Sequence, residues 1–72
     1  MRQFGEKVRT LRTRRGWTMA QVAEKLGISS RSFIARLESG ERTPNVAMLV
    51  KLSELFEVST DVLVKDYLEL DN

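Results

Sequence analysis

Trp17-Thr-Met-Ala-Gln-Val-Ala-Glu-Lys-Leu-Gly-Ile-Ser-Ser-Arg-Ser-Phe-Ile-Ala-Arg-Leu-Glu-Ser-Gly40 carries the most closely spaced helix signals in the chain. It divides into a helix, a glycine turn and a second helix. Thr18 and Gln21 stand three residues apart as a capping box: the Thr18 hydroxyl can accept from the Gln21 N–H, while the Gln21 side chain reaches back to the Thr18 N–H. Val22, Ala23 and Leu26 follow on one face at helical spacing, and Gly27 stands where helices commonly end in a left-handed residue. After Ile28, either Ser29 or Ser30 can cap the next helix. Ile34 and Leu37, with Phe33 or Leu26 beside them, give it a short apolar stripe, and Gly40 closes it.

Upstream, Phe4, Val8 and Leu11 recur at spacings of four and three with charge on the other faces. This predicts an amphipathic helix over residues 4–15, ended by Gly16, with Trp17 as a core residue at the turn rather than a platform for a base. Downstream, Pro44 biases Thr43 away from helix and Asn45 is a strong N-cap, so residues 40–45 read as a loop. A fourth helix follows, with Val46, Leu49, Leu52 and Phe56 as its core stripe. Ala47, Met48, Val50 and Leu55 widen its apolar arc, which predicts burial on more than one side. Ser59 can cap a short fifth helix containing Val62, Leu63 and Val64, with Asp61 at its positive end. The tail, residues 65–72, sets Tyr67, Leu68 and Leu70 among acids, as a helix extension, a segment docked on its own domain or a contact to another chain.

Seventy-two residues make a single domain spanning 1–72 with its core at about 4–64, near the lower size limit for one unstapled core. Hydrophobic content of 42% with 31% charged residues is that of a soluble chain. No apolar run approaches the roughly 20 residues that span a bilayer, and the first residues lack the apolar segment of a signal peptide, so a cytoplasmic location is expected. The chain contains no Cys and no His. Disulfides, thiolate metal sites and the usual general base are therefore absent from its chemistry, and the expectation is a protein with no cofactor and no metal. An enzyme is disfavoured further by the lack of a glycine-rich phosphate loop or a clustered carboxylate pair.

The net charge of +2 conceals a strong polarity. Residues 1–36 carry nine Lys and Arg against two acids, whereas residues 37–72 carry three against eight. Such a basic half faces a polyanion, and the acidic half faces water or a partner subunit. Two short helices around a glycine are also the build of an ordinary αα-hairpin. With exposed Arg and Ser on the second helix and a basic half around it, the pattern instead fits a recognition helix placed in a DNA major groove.

The order of these motifs resembles the Cro- and lambda-repressor-like helix-turn-helix family, the Xre class. The resemblance covers about residues 4–64. It rests on Arg12-Thr-Arg-Arg-Gly-Trp-Thr18, Val22-Ala-Glu-Lys-Leu-Gly-Ile28, Ile34-Ala-Arg-Leu-Glu-Ser-Gly40, the loop Arg42-Thr-Pro44 and the run from Leu49 to Val58 with Ser59. It implies an all-α, compact five-helix domain with the helix-turn-helix formed by helices 2 and 3. It also implies a transcriptional regulator, such as a repressor, bound as a homodimer to a two-fold symmetric double-stranded DNA operator.

By the resemblance, the exposed recognition positions fall on Ser30, Arg31, Ser32 and Arg36. Arg suits bidentate contact with guanine, which makes Arg31 and Arg36 the base readers. Phosphate contacts fall to Thr18 and the first turn of helix 2, to Arg42 and Thr43, and more weakly to Arg14 and Arg15. Phe33 occupies a slot near the backbone often filled by Tyr or Thr; without a hydroxyl it can meet a thymine methyl or simply pack. Arg12 and Glu38 match a partly buried ion pair that fixes the recognition helix to helix 1. The sequence departs from the family twice: one extra residue between Gly27 and Glu38, most simply Ser29 or Ser30, and Met19 where Gln is usual.

A homodimer interface is expected from Met48, Val50, Leu55, Leu63, Tyr67, Leu68 and Leu70, at the acidic end away from DNA. Controller proteins of restriction-modification systems and small phage repressors look like this. So do antitoxins, and the alternative is a protein-interaction module whose main partner, a toxin or a polymerase, covers the same apolar face.

Overall fold

The computed structural model describes residues 3–65. Five helices follow one another: α1 (Phe4–Arg14), α2 (Met19–Leu26), α3 (Arg31–Ser39), α4 (Val46–Phe56) and α5 (Thr60–Val64), with no strand among the described residues. The fold is all-α and of the lambda-repressor-like helix-turn-helix type. Tyr67, Leu68 and Leu70, expected at the dimer interface, lie outside the described residues.

Local signals set most of the boundaries. The Thr18 hydroxyl accepts from Gln21 N at 3.1 Å, and Gln21 Oε1 accepts from Thr18 N at 2.8 Å, so the capping box is closed in both directions. Asn45 caps α4 through Met48 N at 2.7 Å, and Ser59 caps α5 through Val62 N at 3.1 Å. Gly27 takes φ +78°, which lets its own N–H and that of Ile28 fold back on the carbonyls of Glu24 and Ala23. The chain is thereby turned sharply from α2 into α3. Ser30 occupies the N-cap position of α3 but its side chain makes no capping bond; its hydroxyl pairs with that of Ser32 at 2.6 Å.

The core joins Phe4, Val8 and Leu11 of α1, Val22, Ala23 and Leu26 of α2, Ile34 and Leu37 of α3, Leu52 and Phe56 of α4, and Leu63 of α5. Trp17 is half-buried at its edge, its ring 5.9 Å from that of Phe56. Arg15 and Lys25 lie over the indole at 5.3 and 4.6 Å.

The expected α4 stripe needs one correction, because Val46 is 77% exposed. At about 100° per residue, Val46 lies roughly 120° round the helix from Leu52. The same arithmetic puts Val46 and Val50 some 40° apart, so both face away from Leu52, with Ala47 about 60° further round from Val50. Leu63 is fully buried in the core of its own chain. Its side chain is enclosed there, which corrects its placement at a subunit contact. Met48 and Leu55 are half-buried, packed against the core from its rim.

Two features of α1 escape sequence reasoning. Gly5 is buried, and a Cβ on it would come within 2.6 Å of the Leu37 carbonyl oxygen and still closer to that of Glu38. Only a residue without a side chain lets α1 approach the end of α3 so closely. Lys7 is 5% exposed, with its ammonium donating to the carbonyls of Val62 at 2.7 Å and Lys65 at 2.8 Å. A cation at the carbonyl end of α5 satisfies groups that helix geometry leaves unpaired, and ties the last helix to the first.

Candidate nucleic-acid interface

Helix α3 is held from behind. Arg12 Nε donates to Glu38 Oε2 at 2.7 Å and its Nη2 to Oε1 at 3.1 Å, a bidentate pair whose side chains are 12% and 4% exposed. The third arm, Nη1, donates to the Trp17 carbonyl at 3.0 Å. One guanidinium thus links α1, the entry to α2 and the last turn of α3. The hydrogen bond to Glu38 raises the Arg12 pKa; burial works against the rise and the Glu38 charge adds to it. Among the described residues, no buried side-chain nitrogen or oxygen lacks a partner.

Held in this way, α3 turns Ile34 and Leu37 inward and Arg31, Ser32 and Arg36 outward. Arg31, Ser32, Ala35 and Arg36 stand at i, i+1, i+4 and i+5, which is one face of a helix. A cleft between the start of α2 and this face is lined by Trp17, Thr18, Met19, Ala20, Arg31 and Ser32 among others. A second, at the far end of α3, is lined by Arg36, Glu41, Arg42 and Thr43. In that second group Arg42 N donates to the Arg36 carbonyl at 3.2 Å, the Arg36 guanidinium lies 4.0 Å from Glu41, and the Arg42 guanidinium lies 5.1 Å from the centre of the Phe33 ring.

The structure therefore brings Thr18, Arg31 and Ser32 around one cleft and Arg36, Arg42 and Thr43 around another, with Ser30 exposed at the start of α3. Arg14 and Arg15 line neither. Arg15 is engaged elsewhere: its Nη2 donates to the Phe56 carbonyl at 3.3 Å and reaches Glu57 at 3.5 Å, capping the end of α4. Sequence spacing could not show this, because the partners lie 41 and 42 residues away. Met19 is half-buried against the core, so the residue in place of the usual Gln contributes packing. Among the described residues no group of three or more acids is placed to hold a metal, and no helix is long and apolar enough to cross a membrane.

A helix fixed on its inner side, preceded by a short helix and a left-handed glycine, and presenting Arg and Ser outward is a helix-turn-helix unit, the class of domain that reads duplex DNA. The chain belongs to the helix-turn-helix family, whose model matches residues 8–63. It is 37% identical over 62 residues to the SPbeta prophage-derived uncharacterized HTH-type transcriptional regulator YonR of Bacillus subtilis (strain 168), an alignment covering 86% of this chain and 56% of that protein. It is 40% identical over 62 residues to the HTH-type transcriptional activator BcrR of Enterococcus faecalis, covering 86% of this chain and 30% of BcrR. It is 37% identical over 65 residues to the HTH-type transcriptional repressor RghR of Bacillus subtilis (strain 168), covering 89% of this chain and 47% of RghR. The chain thus spans about half the length of these relatives or less. The family supports DNA-binding transcriptional regulation and defines a DNA-binding domain rather than an enzyme.

Proposed function

We propose that this chain is the reading head of a transcriptional regulator, bound as a homodimer to a two-fold symmetric operator with α3 in the major groove. The observation that carries the reading is the two-sided construction of α3, clamped through Glu38 and open at Arg31, Ser32 and Arg36. Arg31 and Arg36 read base edges, Ser30 and Ser32 serve bases or phosphates, and Thr18, Arg42 and Thr43 position the phosphate backbone. Relatives named as an activator and as a repressor share this segment, which supports assigning to it the DNA binding common to both.

The dimer contact is assigned to the outward face of α4. Val46 and Val50 are its exposed large apolar residues, while the half-buried Met48 and Leu55 lie on the opposite flank of the helix, roughly 140–160° round from Val50. Two recognition helices presented by such a dimer meet half-sites about one helical turn apart, roughly 34 Å. The test is selection of tight-binding sequences from random duplex DNA, with the mass of the protein recorded on and off the selected site. An inverted repeat bound by two chains is the expected result. A single unrepeated site bound by one chain would remove the dimer, and binding that fades with salt for every sequence alike would remove operator reading. A chain that stays monomeric on and off DNA would turn the α4 face over to a different protein, the arrangement of an antitoxin.

A further inference from the structure

Phe33 stands in the first turn of α3, half-buried against the rim of the core, on a helix whose neighbouring exposed side chains are polar. A phenyl ring can neither donate to nor accept from a phosphate, yet the loop after α3 folds back toward it. The Arg42 N–H donates to the Arg36 carbonyl at 3.2 Å, and this return places the Arg42 guanidinium 5.1 Å from the Phe33 ring centre. Glu41, the neighbouring acid, lies 4.0 Å from Arg36. The ring face carries partial negative charge, so a cation within about 6 Å is held without losing its hydrogen-bond donors. That leaves all the guanidinium N–H groups available to an outside acceptor.

We propose that Phe33 is a positioning residue for Arg42: its ring holds the guanidinium over the start of α3, oriented before DNA arrives. The inference rests on the reading of Arg42 as a phosphate contact and adds the reason that contact survives a slot lacking a hydroxyl. An unheld arginine in an exposed loop samples many rotamers and must be ordered on binding, which weakens association. Holding it on an exposed ring is worth about a two- to five-fold gain in affinity. Because phosphate carries no sequence information, the gain is the same for every duplex.

The experiment compares wild type with Phe33→Leu, Phe33→Trp, Arg42→Ala and the double variant Phe33→Leu/Arg42→Ala. Affinities are measured on the selected operator and on a scrambled duplex over a range of salt, with melting temperatures and the NMR shifts of the Arg42 side-chain protons recorded in free protein. In wild type those protons carry a ring-current shift that Phe33→Leu removes and Phe33→Trp retains. Phe33→Leu weakens both duplexes by the same two- to five-fold, Phe33→Trp restores binding, and Phe33→Leu adds nothing once Arg42 is Ala.

A loss that persists in the Arg42→Ala background, or that is confined to the operator, overturns the proposal and makes Phe33 a direct contact. So does the lack of a ring-current shift in wild type, a readout that holds even if Phe33→Leu folds poorly. If wild type binds and Arg42→Ala weakens it while Phe33→Leu does not, this inference alone fails. If wild type binds no duplex, the DNA reading fails and takes the inference with it.

Discussion

The inward side of α3 holds Ile34 and Leu37 without measurable exposure and a Glu38 carboxylate fully engaged by Arg12, whereas its outward side leaves Arg31, Ser32 and Arg36 in solvent with the nearest acid to Arg36 at 4.0 Å. The same nine residues are thus rigidly satisfied on one side and loosely paired on the other. An exposed ion pair at such a distance contributes little and is easily exchanged, while a buried bidentate pair cannot lose a partner without leaving a charge in low dielectric. The inner side aims the helix, and the outer side keeps its donors exchangeable for DNA. Substitutions on the two sides should therefore separate stability from recognition.

The sharpest break comes from Glu38→Ala, which strands the Arg12 guanidinium. A loss of about 3–5 kcal/mol of folding stability is expected, read from the denaturant midpoint. Arg12→Met/Glu38→Leu should recover much of it, since an apolar pair leaves no uncompensated charge. A midpoint for Glu38→Ala equal to wild type would mean the clamp does not hold α3. The raised Arg12 pKa adds a sign: its stabilisation is fully present below the unfolded value and fades only as pH climbs through the folded one. As far as Arg12 is concerned, the clamp should hold unchanged from mildly acid to mildly alkaline solution.

Gly5→Ala comes next. The added methyl meets the carbonyls of Leu37 and Glu38, which are backbone and cannot swing aside. A loss of about 1–3 kcal/mol is expected, with α3 displaced from α1. Chemical-shift changes concentrated at residues 36–40 would locate the damage, and a variant as stable as wild type would show that α1 can retreat without cost.

These two sites also mark where the sequence stopped being legible. Thr18 with Gln21, Asn45 and Ser59 were readable because a cap and its partner lie within three residues, and Gly27 because its conformation is a property of one residue. Gly5 gave no signal, since nothing in Phe4-Gly-Glu-Lys7 shows that another helix passes over it. Lys7 would be read as solvated, yet its acceptors lie 55 and 58 residues on. Val46 misled for a different reason: spacings of three, three and four keep neighbours in register while the ends drift round the helix. Arg12 and Glu38 came from resemblance to a family, because a pair 26 residues apart has no local signature. The outward residues of α3 were legible as exposed and polar; which of them touch bases is a property of the complex.

On the outer side, Arg31→Ala and Arg36→Ala should each cost about 1–3 kcal/mol of binding per half-site and relax preference at one base pair. Melting temperature should stay as in wild type, because both side chains are exposed. Arg42→Ala should weaken every sequence alike and flatten the salt dependence. If Arg31→Ala acts equally on all sequences, it belongs with the phosphate contacts and the reading face narrows to Arg36 and the serines.

The smallest effect tests whether the two sides are independent. Glu57 ends α4 at φ +57°, the left-handed conformation that Gly27 adopts after α2, with its N–H and that of Val58 folded back on Glu54 and Ser53. A residue with a Cβ is strained there, and its 3.5 Å approach to Arg15 is solvent-exposed and contributes little in return. Glu57→Gly should therefore raise stability by about 0.5–1 kcal/mol, visible as a higher melting temperature. Operator affinity should not follow. A chain already folded at the temperature of measurement gains almost no binding-competent population from further stability, and nothing at Glu57 lines either cleft of α3. A Glu57→Gly variant that bound DNA several-fold more tightly would show that the aim of α3 depends on the looseness of the whole domain, and the division between its two sides would not stand.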